Sequence, residues 1–397
     1  MELKHNISAL AEESWARIVE VRRHLHQHPE LTFQEKETAE YVAQFLESEG
    51  FEIEKGIGGY GIVAVLKGDK AGKCLGLRAD MDALPIQEMN EVPYRSKHAG
   101  VMHACGHDVH TSSLLGTALL LKALRSEIAG SVKFIFQPGE EVLPGGASLM
   151  IRDGVLENPQ VDFMLGQHVF PELEVGHFGV CSGPYMASTD ELYITVRGKG
   201  GHGAMPHLAI DPIHASAQLI VQAQALVSRL TNPIEPSVFT IGKIASEGGA
   251  TNIIPEKVEL HGTFRALNEQ VRASFHEALE RLVQGLELSM GISIDLEIRK
   301  GYPALVNDEL LSDEVLKFGK EYIGTDNFQV LPKRMTAEDF AYFAQTVPAC
   351  FYRLGVANQT KGIQSGLHTN TFDIDEDALK HGMGMMAYIA INLLNMK

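Results

Sequence analysis

Apolar residues in the first half of the chain alternate between a helical spacing and the short runs typical of buried strands. Three stretches predict helices, at residues 7–26, 34–49 and 110–124. Four apolar runs predict strands, at 62–66, 74–78, 132–136 and 163–167. This alternation predicts an α/β fold with a mostly parallel sheet covered by helices. Polar side chains follow several of these strands, where open α/β sheets carry their sites.

Between about residues 188 and 298 the pattern changes to that of an inserted α+β unit. Strands are predicted at 191–196, 238–244, 258–264 and 292–298, and helices at 212–230 and 268–290. The order β-α-β-β-α-β is that of a ferredoxin-like unit. Afterwards the chain resumes helices and an apolar strand at 349–354. We therefore expect one domain built from residues 1–186 and 300–397 and a second from 187–299, as a length of 397 residues favours.

Composition narrows the classes of partner. Asp and Glu number 51 against 34 Lys and Arg, a formal net charge of −17, which argues against nucleic acid because phosphate binding relies on a basic face. No run of about 18 apolar residues indicates a membrane span, and the N-terminal residues lack a signal-peptide core. The four scattered cysteines imply no disulfide framework. We expect a cytoplasmic protein without membrane partners.

The strongest local signal for chemistry is the segment from Met102 to His110. It places three histidines, Cys105 and an aspartate within eight positions, beginning at His103. Thiolate and imidazole suit borderline divalent ions such as Zn²⁺. The alternatives are a helix N-terminus with incidental histidines and a nucleophilic cysteine activated by a histidine. Carboxylates and histidines elsewhere in the chain favour the metal interpretation.

A second signal is the pair Glu140-Glu141, which follows the strand predicted at 132–136. Two adjacent carboxylates cannot both be buried without partners. A division of roles resolves this: one carboxylate binds a metal and the other acts as general base toward water acidified by it. A solvated loop tip is the alternative, which the neighbouring Cys/His segment disfavours.

Other candidates are ambiguous on spacing alone. His168 and His368 are single histidines, a class that is more often structural than ligating. Asp80 and Asp82 follow a predicted strand and fit ligands, residues that orient ligands, or helix caps. His24, His26 and His28 alternate, but they end a helix, where alternation does not align side chains, so we interpret them as structural.

The segment Gly198–Gly203 matches the Gly-x-Gly-x-x-Gly dinucleotide fingerprint and follows a strand. Residues 205–211 intervene before the next helix, however, and the acidic residue expected about 20 positions later is missing. We therefore interpret the glycines as allowing close approach of the backbone to a ligand and as presenting His202.

Seven motifs, taken together and in order, resemble the M20 metallopeptidase family, most closely its aminoacylase, hippurate hydrolase and auxin-conjugate hydrolase branch. They span essentially the whole chain and lie at 23–31, 78–82, 105–110, 137–141, 200–203, 251–255 and 335–340. The resemblance implies a catalytic domain from both chain ends and an inserted lid that mediates homodimerisation. It implies two divalent metal ions per subunit, Mn²⁺ or Zn²⁺, with Ni²⁺ or Co²⁺ as alternatives.

The resemblance also implies residue roles. The implied metal ligands are Cys105, His107, Glu141, His168 and His368. Glu140 is implied as general base and Asp82 as the residue that orients base or ligands, while His202 polarises the scissile carbonyl and Asn252 and Arg265 bind the substrate carboxylate. Asp80 stands where peptidase members carry a histidine ligand, and a thiolate replaces an oxygen ligand, so the sequence leaves the metal's identity open.

The hypothesis that follows is a hydrolase that cleaves the amide bond of small N-acyl amino acids, N-acetyl or N-aroyl. A carboxypeptidase or dipeptidase with the same centre is the close alternative. A non-catalytic metal- or amino-acid-binding protein is the alternative from another class, which the intact Glu140-Glu141 pair and His202 disfavour.

Overall fold

The computed structural model describes residues 2–396, which form two compact units. The first unit comprises residues 2–183, 306–332 and 339–396. The second comprises residues 184–305 and 333–338. Each unit has a hydrophobic core of its own. Among the helices in residues 2–396, none combines the length and apolar composition that crossing a bilayer requires.

The helices, in chain order over residues 2–396, are α1 Glu2–Gln27, α2 Lys36–Ser48, α3 His107–Ala123, α4 Gly146–Arg152, α5 Pro212–Ala225, α6 Glu269–Met290, α7 Glu309–Ile323, α8 Ala341–Ala344 and α9 Asp377–Leu394. The strands are β1 Ile53–Ile57, β2 Gly61–Lys67, β3 Lys70–Asp80, β4 Ala129–Gln137, β5 Phe163–Glu174, β6 Phe178–Val180, β7 Gly183–Met186, β8 Asp190–Arg197, β9 Gly201–His202, β10 Ser237–Ser246, β11 Ile253–Ile254, β12 Lys257–Ala266, β13 Ser293–Lys300, β14 Leu305–Asn307, β15 Phe328–Val330 and β16 Ala349–Ala357.

The first unit is built on an eight-stranded sheet of order β1-β2-β4-β3-β5-β16-β6-β15. The four central strands, β4, β3, β5 and β16, run parallel, which confirms the mostly parallel sheet. Asp80 pairs with Gln137 where β3 and β4 end, and His168 pairs with Arg353 across β5 and β16. The pairing therefore gathers polar residues of four neighbouring strands at one end of the sheet.

Helices α1, α3 and α9 pack against one another, and both α3 and α9 also contact the central strands. Helix α3 is buried over most of its length because it lies between strands and helices. Its polar first turn, His107 and Asp108, is as buried as its leucines. Burial of such groups requires specific polar partners.

The second unit has a four-stranded antiparallel sheet of order β10-β12-β8-β13, with α5 and α6 contributing to its core. Its helices begin where the sequence provides caps: Asp211 accepts hydrogen bonds from two amides of α5, and Asn268 accepts one from α6. Gly291, in the left-handed region, ends α6.

Several element boundaries differ from the predictions by a few residues, and two of these differences concern the site. Strand β5 continues beyond residue 167 to Glu174, because Val169 and Phe170 keep pairing with β16 past the polar His168. Helix α3 begins at His107 and not at residue 110, because its first polar turn is buried. An apolar pattern cannot show either feature.

Candidate metal centre

Five potential metal donors converge in the first unit. Cys105 precedes α3, His107 opens α3, Glu141 follows β4, His168 lies within β5, and His368 lies in the loop before α9. His368 adopts φ 59°, a left-handed conformation that is strained for a non-glycine residue. Its amide donates to the carbonyl of Ala104 at 2.8 Å, which fixes this loop beside Cys105.

Cys105 belongs to two overlapping donor groups. One consists of Cys105, His107 and His168, and the other of Cys105, Glu141 and His368, with donor atoms within 4.8 Å of one another. The Cys105 Sγ lies 3.5 Å from His168 Nε2 and 3.3 Å from His368 Nε2. Cys105 is therefore a candidate ligand in both groups.

The imidazoles are oriented as metal ligands usually are. His107 Nδ1 lies 3.1 Å from Asp82 Oδ1, and His168 Nδ1 lies 2.7 Å from the carbonyl of Val169. The Nδ1–H of each imidazole therefore donates a hydrogen bond, which leaves the lone pair of each Nε2 to bind a metal ion. His107 Nε2 and Glu141 Oε1 are buried with no hydrogen-bond partner among the described residues. Orphaned donor atoms of this kind, beside a thiol, fit a divalent cation.

Electrostatics at the centre also favour a cation. Burial, reinforced by Glu141, raises the pKa of the Cys105 thiol. The hydrogen bond to Cys105 and the nearby carboxylate of Glu141, whose Oε1 lies 3.4 Å from His368 Nε2, raise the pKa of His368 to about 10, so a proton there supplies positive charge to the cluster. A divalent cation would instead take the thiolate and the neutral imidazole, releasing protons on binding.

Asp82 holds the loop that carries the two glutamates. Its Oδ1 accepts the amide of Glu140 and its Oδ2 the amide of Glu141, both at 3.0 Å. Thr32 Oγ1 also donates to Oδ2, at 2.7 Å. Although burial opposes ionisation, the hydrogen bond from His107 lowers the pKa of Asp82, which keeps it an acceptor. One carboxylate thereby connects a candidate ligand, His107, to the backbone of both glutamates.

Asp80, left open by spacing, is an ion-paired residue. Its Oδ2 lies 2.6 Å from Arg78 Nη1 and its Oδ1 lies 2.5 Å from His110 Nδ1. His110 Nε2 accepts the amide of Val169, so its proton is on Nδ1. Burial opposes the charge of Asp80, but Arg78 holds the pKa of Asp80 well below its usual range.

Two buried ion networks behind the centre were not found from the sequence. Arg78 donates to Asp339, which also accepts from Gln137 and from the amide of Ala147. The second network joins the two helices α1 and α3.

In that second network, Arg22 on α1 donates to Asp108 on α3 at 2.8 Å. His26 lies 2.8 Å from Asp108 and 3.2 Å from Glu88, in agreement with its interpretation as structural. Arg22 and His26 lie about one helical turn apart, a spacing that does not distinguish a buried helix face from an exposed one. Their burial is therefore visible only in the three-dimensional packing.

Three predicted site residues lie in the second unit. Pairing of β9 with β11 sets His202 opposite Ile253, and the amide of Gly203 donates to the carbonyl of Asn252. His202 Nδ1 accepts the amide of Ala204 at 3.0 Å, so the ring proton lies on Nε2 and is available to a ligand. His202 and Asn252 are exposed, whereas Arg265 is half-buried and donates to the carbonyl of Met335 at 3.1 Å.

Comparisons with known proteins match this geometry to one family. The model of peptidase family M20/M25/M40 matches residues 76–392. The chain belongs to this family. It is 43% identical over 305 residues to the N-acyl-L-amino acid amidohydrolase of Geobacillus stearothermophilus, covering 77% of this chain and 81% of that protein. It is 38% identical to thermostable carboxypeptidase 2 of Saccharolobus solfataricus, and that match covers 99% of this chain and 98% of the carboxypeptidase.

Among solved structures, the chain is similar to the YXEP protein of Bacillus subtilis, described as a dinuclear metal-binding peptidase of the M20 family. The TM-score is 0.81 at 34% identity, and the match covers 96% of this chain and 99% of that one. Relatives of this family thus include both amidohydrolases and carboxypeptidases, and one solved relative binds two metals.

Proposed function

We propose that this protein hydrolyses the amide bond of N-acyl amino acids, releasing a carboxylic acid and a free amino acid. The observation that carries the proposal is a set of five candidate metal ligands directly beside Glu140, in which Cys105 belongs to two groups and two buried ligand atoms have no hydrogen-bond partner among the described residues. Identity to an N-acyl-L-amino acid amidohydrolase, the highest of the relatives described above, supports the choice of substrate class.

Two divalent cations, Mn²⁺ or Zn²⁺, with Ni²⁺ or Co²⁺ as alternatives, are proposed to bind to Cys105, His107, Glu141, His168 and His368. When bound, such cations supply Lewis acidity that acidifies water and polarises a carbonyl. The native metal is left to experiment, because thiolate and imidazole suit several borderline ions.

The remaining chemistry belongs to the chain's own residues. Glu140, its backbone held by Asp82, takes a proton from the attacking water and returns it to the leaving amine. His202 donates from Nε2 to the oxygen that gains charge, and its Nδ1 acceptor role toward Ala204 fixes that tautomer. Asn252 and Arg265 recognise the free carboxylate of the substrate.

Replacing Glu140 tests the central role. The Glu140→Gln protein should bind metal at the wild-type stoichiometry but lose turnover by about 10²–10⁴-fold, because only the proton acceptor is removed. Glu141→Gln should instead lose metal, since Glu141 belongs to the donor set. Metal analysis and initial rates on N-acetyl amino acids measure both. Turnover of Glu140→Gln at the wild-type rate would exclude Glu140 as the base.

Carboxypeptidase activity is the second candidate function, because a carboxypeptidase relative matches the chain over nearly its full length. N-acetyl amino acids and N-blocked dipeptides with a free carboxylate separate the two activities. Faster hydrolysis of the blocked dipeptides would replace the proposed substrate class. No hydrolysis of either with added Mn²⁺, Zn²⁺ or Co²⁺ would indicate a binding protein.

We further propose that the second unit acts as a lid and joins two copies into a homodimer. Support comes from β10, an edge strand of its sheet, and from apolar side chains that are strongly exposed, namely Val221, Leu230, Ile234, Val238 and Ile244. Exposed apolar edges are normally covered by a partner. Sedimentation of the full chain at twice its monomer mass is expected. The proposed compartment is the cytoplasm, consistent with four buried cysteines that form no disulfide.

A further inference from the structure

A third carboxylate, Glu35, is bound to the loop that carries the general base. Glu35 is completely buried just before α2, and its Oε1 accepts the amide of Gly139 at 2.8 Å. The same oxygen accepts the amide of Phe33 at 2.9 Å. Glu35 thus connects the segment before α2 to the residue immediately preceding Glu140.

Together with Asp82, this contact places three consecutive amides on two buried carboxylates. The amide of Gly139 ends on Glu35, and the amides of Glu140 and Glu141 end on the two oxygens of Asp82. Because each of these three successive N–H groups has a fixed acceptor, the backbone of residues 139–141 is held in one conformation.

The close packing of this loop requires glycine at position 139. Gly139 has φ 64°, and a Cβ there would lie 2.2 Å from the ring of Phe33. Phe33 itself has φ 60°, a strained value for an aromatic residue, and the hydrogen bond from its amide to Glu35 supports it. Glu35 therefore accepts hydrogen bonds from both residues of this packing contact, Phe33 and Gly139.

The charge state of Glu35 differs from that of Asp82. Burial, followed by the nearby charge of Asp82, raises the pKa of Glu35 to about 7. Its second oxygen, Oε2, is buried with no hydrogen-bond partner in the described part of the chain, which also disfavours an ionised form. A carbonyl oxygen accepts the two amides whether or not the group is ionised, so an amide side chain could replace it.

We propose that Glu35 is a positioning residue for Glu140, acting through the amide of Gly139 to aim the base. The proposal rests on the proposed function for its catalytic consequence, but not for its structural one. It assigns a task to residues 33–35, which the described donor set does not include. Displacement of a base by about 1 Å lowers turnover by about 100-fold.

Three variants test the proposal. Glu35→Ala removes the acceptor, and kcat should fall by about 100-fold while KM changes by less than about threefold and bound metal is retained. Glu35→Gln keeps an acceptor oxygen and should restore kcat to within a fewfold of wild type. Glu30→Ala is the matched control, because Glu30 also accepts two backbone amides, those of Glu37 and Thr38, away from the base.

Hydrogen exchange gives a readout that needs no substrate. The amides of residues 139–141 should exchange faster in Glu35→Ala than in wild type and in Glu30→Ala. Wild-type exchange there in Glu35→Ala, or a loss of kcat equal to that of Glu30→Ala, would overturn the proposal. If Glu35→Ala does not fold, Glu35→Gln decides: activity near wild type supports the role as an acceptor, and a 100-fold loss contradicts it. A wild-type protein that cleaves no N-acyl amino acid refutes the proposed function but leaves the exchange result valid.

Discussion

Buried carboxylates around the metal centre differ in charge according to what each one touches. Asp82 accepts from His107, and Asp108 accepts from Arg22, and both contacts lower the pKa against the effect of burial. Glu35 has only backbone donors and a neighbouring carboxylate, so burial raises its pKa. At neutral pH the site therefore places charged carboxylates beside a carboxyl group that is still partly protonated.

The charge state of Glu35 has a consequence for stability. Its pKa of about 7 lies above the ordinary value of 4.5. Protonation of Glu35 therefore stabilises the folded state fully below pH 4.5, and this stabilisation is lost as pH rises through 7. Glu35→Gln lacks this titration. Its free energy of unfolding, measured against wild type by urea denaturation at each pH, should therefore rise by roughly 3 kcal/mol from pH 4.5 to above pH 7. A difference that is constant with pH would contradict the assignment.

At the level of elements, the start of α3 and the end of β5's apolar run form the centre together. Gly106 precedes α3 with φ 84°, and a Cβ there would lie 2.5 Å from Val169, the residue after His168. Two elements that carry proposed ligands therefore approach each other at a glycine. This approach sets Cys105 Sγ within 3.5 Å of His168 Nε2.

Gly106→Ala should consequently weaken metal binding by about tenfold or more, because Val169 must move and His168 moves with it. Gly100→Ala is the matched control, since Gly100 has φ 77° but no atom within 4 Å of its Cβ position. Both variants pay about 1–2 kcal/mol for the left-handed backbone. Competition with a chromophoric chelator measures the affinity, and equal affinities in the two variants would show that the steric contact is unimportant.

The sequence predicted site residues where several reactive side chains lie close together along the chain. It did not predict residues whose burial depends on the packing of distant segments. Cys105, His107 and the Glu140-Glu141 pair stand out by local density, and alternating apolar runs predicted the parallel sheet. His168 and His368 were ambiguous, because single histidines carry no local signal and only the resemblance gave them a role. Glu35 and Arg22 carry no local signal of burial, since their burial arises from contacts with residues 104 and 86 positions away, respectively.

At the scale of the whole molecule, we expect metal binding to stabilise only one of the two units. All five proposed ligands lie in the first unit, whereas the second unit has a separate core and its own buried ion pair, Arg272 with Asp190. Hydrogen bonds from His276 and Arg272 outweigh burial and lower the pKa of Asp190 to about 2. Each unit thus has the means to be stable independently of the other's site.

Calorimetry should accordingly resolve two transitions, of which divalent metal raises only one. Metal binding stabilises the folded unit that holds the ligands, by RT ln(1 + [L]/Kd). The gain should shrink as pH falls, because metal must displace protons from Cys105 and His368, whose pKa values are raised. Scans with and without chelator at two pH values test this. A metal-induced shift of both transitions would mean that the two units unfold together.

The three amides that end on Glu35 and Asp82 also bear on inhibitor design. Because the N–H groups of Gly139, Glu140 and Glu141 are already engaged by buried carboxylates, this loop offers no backbone oxyanion hole to a substrate mimic. A peptide-like acceptor aimed at these amides would gain no hydrogen bond there. Hydroxamates, thiols and other groups that bind cations directly are thus the more promising starting points for compounds that block this enzyme.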